Sequence, residues 1–409
     1  MVKAPPSKSY AQRAIAAALL ARGRTTRLVN MGLCSDTAAA LAVASSLGAR
    51  HEVADETTYL IRGGLTPAIS TIDIGESGLS ARMFTPIAAL CDVPITITGR
   101  GTVAARPMDM IIDPLRELGV SVGSGAGGRL PLTVCGPVRG RDATVDGRVS
   151  SQFITGLLMA LPLAAADTTF TVVNPRSTPY IDMTLDILER FGIEVCHRGY
   201  TQFYVEGRQS YAPPREYVIE GDWSAASCIL VAGAIAGEVT VSNLNPLSKQ
   251  ADMAVLDALA RAGAEIVIAE NSVTVCRPAG EELQAFKFDA TNCPDLFPAL
   301  VALAVNCVGV SEITGVSRLL HKETNRAETL CEVFGKMGAN VGFSMQDDVM
   351  RIRGGRLHGA RVSSYGDHRI AMSAAVAALR AESAVEIDAA EAVDKSYPAF
   401  WDDLQAITQ

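Results

Sequence analysis

The sequence lacks the features that mark membrane-spanning, secreted and metal-binding proteins. In 409 residues no apolar run reaches the roughly 18 to 20 residues that span a bilayer, and the chain opens in Met1-Val-Lys-Ala-Pro-Pro without a hydrophobic signal region. Nine cysteines form no Cys-x-x-Cys, and five histidines show no ligand spacing. We therefore expect a cytoplasmic protein with reduced thiols, no membrane segment and no metal.

An excess of basic charge is also absent. The net charge of -8 argues against a nucleic-acid surface, which usually carries more Lys and Arg than Asp and Glu. It does not exclude a small anionic ligand, because the local charge at a cleft decides that. With 409 residues the chain is too long to fold around one ordinary hydrophobic core, so it is expected to form two domains.

Regularly spaced glycines reveal an internal repeat. They stand 71 to 75 residues apart, each after an amphipathic stretch and before an alternating one, as a glycine that ends a helix in the left-handed region should. One apolar strand position repeats at a similar period. Together these markers predict six copies of a strand, helix, strand, helix and strand pair. The glycines are Gly48, Gly119, Gly192, Gly263 and Gly338; the strand positions are Leu28, Ile97, Val172, Val241, Ile313 and Ile387.

The repeats predict an α/β (α+β) architecture with three copies in each of two domains. The first helix of every copy is nearly all small and apolar, which predicts that it is buried. The only proline-rich break near the midpoint is 208–215, and two prolines at 5–6 suit the complementary crossover. We therefore predict domains at 7–220 and at 1–6 with 221–409.

Six helix starts carry Ser, Asp or Gly, and a helix N-terminus is suited to binding anions. Capping alone explains Asp222 and Ser224. Elsewhere cations lie beside the helix starts, where the helix dipole disfavours them. This indicates that an anion compensates both the cationic side chains and the positive end of the helix dipole. These cations are Lys8, Arg13, Arg82, Arg106, Arg326 and Arg369, and a solvated surface charge is the alternative interpretation that carries most weight at Arg82.

In order along the whole chain, ten motifs resemble those of the 5-enolpyruvylshikimate-3-phosphate (EPSP) synthases. The resemblance implies a two-domain inside-out α/β barrel of six βαβαββ repeats with buried parallel helices. The motifs include Pro6-Ser-Lys-Ser-Tyr-Ala-Gln-Arg13, Gly75-Glu-Ser-Gly-Leu-Ser-Ala-Arg82, Arg106-Pro-Met, Val149-Ser-Ser-Gln-Phe153, Ser177-Thr-Pro-Tyr-Ile-Asp182, Pro294-Asp295, Lys322-Glu-Thr-Asn-Arg326, Asp367-His-Arg369 and Lys395-Ser-Tyr-Pro.

The resemblance implies an activity as well as a fold. Members of the family transfer the enolpyruvyl group of phosphoenolpyruvate to the 5-hydroxyl of shikimate 3-phosphate and release phosphate, in the shikimate pathway to chorismate and the aromatic amino acids. The partners are therefore these two small anions, with no cofactor and no nucleic acid. A monomer that is a target of glyphosate is expected.

Site residues follow from the same resemblance, in both domains, so the active site is expected in the cleft between them. Asp295 contacts the reacting hydroxyl, Glu323 carries the C3 proton, and Lys8 assists in proton transfer. Shikimate 3-phosphate is expected to contact Lys8, Ser9, Arg13, Ser150, Ser151, Gln152, Ser177, Tyr180, Asp295 and Lys322. Phosphoenolpyruvate is expected to contact Lys8, Gly78, Arg106, Gln152, Arg326, Arg369 and Lys395.

The sequence departs from the family pattern at four points. Glu76 replaces a common Asn and places a negative charge near the phosphoenolpyruvate pocket, and Leu79 replaces a Thr hydroxyl. Asn325 replaces an Asp, so Arg326 is expected to lose a charged neighbour. The family's opening strand is expected to be missing, which would leave one sheet of the second domain short of an edge.

Three other functions are possible. An enolpyruvyl transferase acting on UDP-N-acetylglucosamine usually carries a reactive Cys before its Arg-Pro, and the segment 98–106 has none. An RNA 3′-phosphate cyclase is built from a similar unit, but the acidic charge disfavours it. A non-catalytic binder would not be expected to keep Lys8, Asp295, Glu323 and Lys395 together.

Overall fold

A computed structural model describes residues 1–125 and 127–408. The chain divides into two compact units, and we call Pro6–Ile219 the first unit and Met1–Pro5 with Glu220–Gln409 the second unit. These bounds differ by one residue from those suggested by the sequence. The substrate and catalytic roles that the sequence assigned to the two domains stay predictions.

The described residues form twelve α-helices. Those of the first unit are α1 (Lys8–Leu20), α2 (Ser35–Ser46), α3 (Gly78–Ala88), α4 (Asp109–Glu117), α5 (Gln152–Ala160) and α6 (Thr178–Arg190). Those of the second unit are α7 (Trp223–Ala236), α8 (Val255–Arg261), α9 (Phe297–Ala304), α10 (Arg326–Lys336), α11 (His368–Ala378) and α12 (Phe400–Thr408).

The strands of the described residues are short. They are β1 (Val2–Lys3), β2 (Thr25–Val29), β3 (Arg50–Asp55), β4 (Thr58–Arg62), β5 (Thr71–Asp73), β6 (Ile95–Thr98), β7 (Ser121–Ser124), β8 (Leu132–Cys135), β9 (Ala143–Asp146), β10 (Thr168–Val173), β11 (Val195–Arg198), β12 (Gln202–Val205), β13 (Tyr217–Val218), β14 (Glu238–Ser242), β15 (Glu265–Ile268), β16 (Ser272–Cys276), β17 (Lys287–Asp289), β18 (Val310–Thr314), β19 (Asn340–Ser344), β20 (Val349–Arg353), β21 (Arg361–Ser363) and β22 (Glu386–Asp388).

Five sheets of the described residues repeat one strand order and the sixth, β21-β22, has its first two strands, which together confirm the six copies. A parallel edge strand comes first, then the strand that follows the buried helix, then an antiparallel hairpin. In the first unit the sheets run β13-β2-β4-β3, β5-β6-β8-β7 and β9-β10-β12-β11. In the second unit they run β1-β14-β16-β15, β17-β18-β20-β19 and β21-β22.

The two crossovers of the chain explain the edge strands. Strand β1 pairs with β14, with Val2 opposite Val241, and β13 pairs with β2, with Tyr217 opposite Leu28. The expectation of a missing opening strand was therefore wrong, because Val2 and Lys3 supply that edge before the chain turns at the two prolines. Within the described residues, the two-stranded sheet is β21-β22.

The first helix of each copy is buried, as predicted from its composition. Helices α3 and α9 are buried along their whole length, and α1, α5, α7 and α11 are buried at most positions. Each unit has its own hydrophobic core. The five repeat glycines all have positive φ, between 71° and 116°, as predicted for residues that end a helix. In the described part of the chain, no helix is long and apolar enough to cross a membrane.

Candidate functional site

In the first unit, three predicted site residues and Arg82 meet at the start of α3. Gly78 follows Ser77, the residue that caps the N-terminus of α3. A Cβ atom added at Gly78 would lie 2.8 Å from Nη1 of Arg106 and 3.6 Å from Nη1 of Arg82. The same atom would lie 3.8 Å from Oε1 of Gln152. The absence of a side chain at Gly78 thus leaves room for these polar groups beside a helix N-terminus. We call Gly78, Arg82, Arg106 and Gln152 the Gly78 cluster.

Arg82 is a buried member of this cluster, so the surface-charge interpretation was wrong. Its side chain donates from Nη1 to Oε1 of Gln152 at 2.8 Å and from Nη2 to the Pro107 carbonyl at 3.4 Å. Its guanidinium carbon lies 5.1 Å from the centroid of the Phe153 ring, a cation–π distance. Because the amide oxygen of Gln152 accepts from Arg82, the amide NH₂ of Gln152 is left to donate elsewhere.

Arg106 follows the short 3₁₀ helix Gly101–Ala105 and is 8 % exposed. Its Nη2 donates to Oγ1 of Thr102 at 3.2 Å. The Glu76 carboxylate lies against Gly101, where an added Cβ would be 2.6 Å from it. Glu76 itself is exposed. Leu79 is buried in the core, so its position does not present a polar group to a ligand.

Arg13 is buried among neutral oxygens. It donates to the Ser9 carbonyl at 2.9 Å, to the Tyr180 carbonyl at 3.1 Å and to Oγ1 of Thr184 at 3.0 Å. Burial lowers the pKa of Arg13 to about 10. A buried positive charge held by neutral acceptors favours an anionic ligand.

Three serines predicted to contact shikimate 3-phosphate, Ser150, Ser151 and Ser177, lie at the starts of α5 and α6. Ser150 accepts the backbone N–H of Gln152 at 3.2 Å, and Ser151 immediately precedes α5. Ser177 precedes α6 with φ 56° and ψ 45°, a left-handed conformation that is uncommon and costly away from glycine. Such strain often occurs at ligand sites. Tyr180 lies in the first turn of α6.

Lys8 has an acidic partner that the sequence did not suggest. Its ammonium group lies 3.1 Å from Oδ2 of Asp36, and both side chains are largely buried. Gln12 donates to the Asp36 carbonyl at 3.3 Å and to the hydroxyl of Ser77 at 2.7 Å. These bonds tie the start of α1 to the start of α3.

In the second unit, the Asp295 carboxylate is surrounded by cations. Lys322 and Arg326 each approach its Oδ1 at 3.0 Å, and Arg369 approaches Oδ2 at 3.5 Å. Burial alone would raise the pKa of Asp295, but Lys322, Arg369 and Arg326 hold that pKa well below its usual range. Asp295 is therefore a carboxylate whose charge is already matched by the protein.

Arg326 is buried between acidic side chains. Its side chain is 1 % exposed and forms a fork with Asp367, through Nε at 2.7 Å and Nη2 at 3.1 Å. Nη2 also lies 2.7 Å from Oε2 of Glu323. Burial opposes the charged form, but Asp367, Glu323 and Asp295 outweigh it and raise the pKa of Arg326. Asn325 places no charge beside Arg326, as expected, but Asp367, Glu323 and Asp295 supply acidic partners that the sequence did not suggest.

These contacts change how the cations at the helix starts are explained. The sequence suggested that a bound anion compensates them, whereas protein carboxylates pair with Lys8, Arg326 and Arg369. Asp367 does this while also capping α11, by accepting the backbone N–H of Arg369 at 3.0 Å. Asp222 caps α7 as predicted, at 3.0 Å from the Ala225 nitrogen.

Lys322 and Lys395 are the two predicted substrate-binding lysines of the second unit. Burial lowers the pKa of Lys322, and Asp295 opposes that shift. Lys395 is 7 % exposed and ends a 3₁₀ helix that packs against α11. Among the described residues, no group of three His, Cys, Asp or Glu side chains is arranged to hold a metal ion.

Comparison with known proteins gives one family. The family model of EPSP synthase (3-phosphoshikimate 1-carboxyvinyltransferase) matches residues 1–404. Proteins named 3-phosphoshikimate 1-carboxyvinyltransferase are similar throughout: that of Methanocorpusculum labreanum is 37 % identical, covering 99 % of this chain and 95 % of the relative. That of Methanothrix thermoacetophila is 38 % identical, with the same shares covered.

Solved structures give the same fold. An EPSP synthase from Acinetobacter baumannii superposes with a TM-score of 0.81 at 25 % identity, covering 99 % of this chain and 94 % of that one. The enolpyruvyl transferase NikO from Streptomyces tendae has a TM-score of 0.77 at 16 % identity, with the same coverage, and shows the shared fold alone.

Proposed function

The chain belongs to the EPSP synthase family, and we propose that it transfers the enolpyruvyl group of phosphoenolpyruvate to the 5-hydroxyl of shikimate 3-phosphate and releases phosphate. The observation that carries the proposal is the partly buried charge cluster of the second unit. There the carboxylates of Asp295 and Glu323 are joined through one guanidinium, that of Arg326. Paired carboxylates among fixed cations suit proton transfer on an anionic substrate.

In the proposal, the first unit supplies much of the binding of shikimate 3-phosphate. Arg13 would bind its carboxylate with Ser9, since the guanidinium is positively charged and held only by neutral oxygens. Ser150, Ser151, Gln152 and Ser177 would hold the phosphate at the starts of α5 and α6, close to Tyr180.

Phosphoenolpyruvate would bind to cations of the Gly78 cluster and of the second unit. Gly78 leaves space next to Arg106 and Gln152, so phosphoenolpyruvate would bind at the Gly78 cluster. The remaining contacts would come from Lys8, Arg326, Arg369 and Lys395. An incoming anion competes with Asp36 for Lys8 and with Asp295 for Arg369, and it therefore weakens the ion pairs that hold these groups.

The chemistry needs two proton transfers. Asp295, oriented by Lys322, would accept the proton of the attacking hydroxyl as its oxygen bonds to C2 of phosphoenolpyruvate. Glu323, in its carboxylic acid form, would donate its proton to C3, which gives a tetrahedral adduct and leaves Glu323 as a carboxylate. Return of a C3 proton to the protein and departure of phosphate would then restore the enol ether. Asp295 is a weak base while three cations stabilise its carboxylate. When the substrate anion pairs with some of these cations, they stabilise the Asp295 carboxylate less, and its basicity would increase.

The test is phosphate release by the purified protein with both substrates, and with each omitted in turn. Release should require both. Asp295→Asn and Glu323→Gln should each lower kcat by roughly 100-fold or more, in line with loss of a general acid or base.

Matched controls separate chemistry from folding. Asp257→Asn and Glu332→Gln remove the same charges from exposed ion pairs with Arg261 and Lys336, so both variants should keep the parent rate. If the folded parent protein releases no phosphate, or if the two active-site variants keep full activity, the proposal is wrong.

The proposal extends to the location and the oligomeric state of the protein. The protein would act as a cytoplasmic monomer without nucleic acid; light scattering of the eluted protein and RNA binding at low salt test these points. The comparisons favour neither UDP-N-acetylglucosamine as acceptor nor RNA 3′-phosphate cyclisation. Phosphate release with UDP-N-acetylglucosamine replacing shikimate 3-phosphate would revive the first alternative.

A further inference from the structure

The proposed mechanism does not use Asp252, although this acid is buried beside the charge cluster. Asp252 lies in the 3₁₀ helix Ala251–Ala254 and is 2 % exposed. Its Oδ2 accepts a hydrogen bond from the hydroxyl of Ser224. Its Oδ1 is buried and has no hydrogen-bond partner in the described residues. Buried carboxylates are normally well satisfied, so this side chain is unusual.

Ser224 connects Asp252 to a predicted substrate-binding residue. Its carbonyl oxygen accepts from Nη1 of Arg369 at 3.4 Å, while its hydroxyl donates to Asp252. The other terminal nitrogen of Arg369 faces Asp295 at 3.5 Å. Ser224 therefore links the Asp252 carboxylate to the Arg369 guanidinium through its hydroxyl and its backbone carbonyl.

The charge of Asp252 is balanced by groups on several elements. Asp295 and Asp222 disfavour the carboxylate, whereas Arg369 and the Ser224 hydroxyl favour it. Another titratable neighbour is the Cys293 thiol, and burial together with Asp252 raises the pKa of that thiol. Burial and Asp295 raise the pKa of Asp252 to about 7, against the opposing effect of Arg369. Asp252 is thus poised between its two protonation states near neutral pH.

We propose that Asp252 is a positioning residue for Arg369 and that it takes up a proton when an anionic substrate engages Arg369. The inference rests on the proposed function, in which Arg369 binds phosphoenolpyruvate. An anion on the guanidinium cancels the positive charge that keeps Asp252 ionised. The Asp252 carboxyl group then becomes neutral. Arg369 turns from the Asp295 carboxylate to the substrate, and Asp252 adds no second negative charge beside Asp295.

Linkage gives the sign of the effect. If the anion raises the proton affinity of Asp252, the protonated protein binds the anion more tightly. The value of kcat/KM for phosphoenolpyruvate should therefore fall as pH rises through the ionisation of Asp252. Asp252→Asn is permanently neutral and keeps an oxygen that can accept from Ser224, so it should lack this fall.

The experiment measures kcat/KM for phosphoenolpyruvate, at saturating shikimate 3-phosphate, for the full-length parent and Asp252→Asn. Between about pH 6 and about pH 8.5, the ratio of variant to parent should rise by roughly tenfold. Ionisation of phosphoenolpyruvate itself cancels in this ratio. Asp257→Asn, which removes an exposed carboxylate from the neighbouring helix α8, should give a constant ratio.

A second variant keeps the inference testable if Asp252→Asn folds poorly. Ser224→Ala removes the hydroxyl that stabilises the carboxylate and keeps the carbonyl that binds Arg369, so the inflection in kcat/KM should move to higher pH. A purely structural role would lower kcat/KM by the same factor at every pH.

The outcomes are distinguishable from failure of the proposed function. A pH-independent ratio for Asp252→Asn, or an unmoved inflection for Ser224→Ala, would overturn the inference while phosphate release by the parent protein still supported the transferase. Absence of phosphate release by the parent at any pH would instead overturn the proposed function, and the inference with it.

Discussion

At the scale of the residue, the second unit balances its buried charges by sharing them. Asp295 meets three cations, and Arg326 in turn meets Asp295, Glu323 and Asp367. A buried ion pair stabilises little by itself, because desolvation offsets the attraction, but loss of one partner leaves a costly uncompensated charge. This cluster therefore adds little net stability, although removal of any one of its members should be costly.

Asp252 should lower stability when it is ionised. Its folded pKa, about 7, lies above the ordinary aspartate value, so the folded state binds the proton more tightly than the unfolded state, and stability from this group falls as pH rises toward 7. Asp252→Asn avoids that loss. Its gain in the free energy of unfolding over the parent should be larger at about pH 8 than at about pH 5, by roughly 2 kcal/mol.

Urea unfolding at the two pH values measures this difference. Asp257→Asn is the control, since its exposed ion pair with Arg261 should contribute nearly the same at both pH values. An equal gain for Asp252→Asn at both would mean that the folded protein does not raise the proton affinity of this carboxyl group.

Arg82 should act through Gln152. It fixes the amide of Gln152 by donating to its oxygen, and it supports the backbone next to Arg106 through the Pro107 carbonyl. Arg82→Met keeps much of the packing on Phe153 but loses both donors, so kcat/KM for phosphoenolpyruvate should fall by about tenfold or more. Arg82→Lys should recover only part, because an ammonium group cannot reproduce the planar fork.

Steady-state kinetics of the two variants test this assignment, with Arg116→Met as a control at an exposed arginine. If Arg82→Met lowers thermal stability but leaves both kinetic constants unchanged, Arg82 is a packing residue and does not position Gln152.

At the scale of the element, the close approach of α3 and α5 brings the Gly78 cluster together. A Cβ at Gly156 would lie 2.5 Å from the Arg82 carbonyl oxygen and 2.9 Å from Cγ of Pro86, so only glycine lets the two helices pack here. Gly156→Ala should force them apart, lower the free energy of unfolding by about 1–3 kcal/mol and weaken substrate binding.

The matched control lies on α10. Gly335 is exposed within that helix, and a Cβ there would meet nothing within 4 Å. Gly335→Ala should therefore raise the free energy of unfolding by about 0.5–1 kcal/mol, because alanine loses less backbone entropy on folding. Equal effects of the two substitutions on chemical denaturation would contradict the role assigned to Gly156.

The sequence predicted the elements well and the partners of individual side chains poorly. The apolar helices recur six times and the helix-ending glycines five times, and both were found where expected. Asp36, Asp252 and Asp367 became visible as partners of Lys8, Ser224 and Arg326 only in the fold, because each pair is far apart in the chain. For the same reason, the sequence suggested only a capping role for Ser224.

At the scale of the whole molecule, the chain forms two hydrophobic cores that share no residue. The first contains the stacked rings of Phe170 and Phe203, with centroids 4.9 Å apart, and the second contains the fully buried Phe334. The period of the repeat predicted this division, whereas the pairing of β1 with β14 was missed because two residues give too little pattern to indicate a strand.

Separate cores predict separate responses to core substitutions. Phe170→Ala should remove about 3–5 kcal/mol from the first unit, and Phe334→Ala a similar amount from the second. Hydrogen exchange should show the first variant losing protection in α1, α3 and α5 and the second losing it in α7, α9 and α11. Because each substitution removes a ring of the same size from a fully buried position, each variant is the control for the other. Equal loss of protection in all six helices from either substitution would mean that the two cores unfold as one cooperative body.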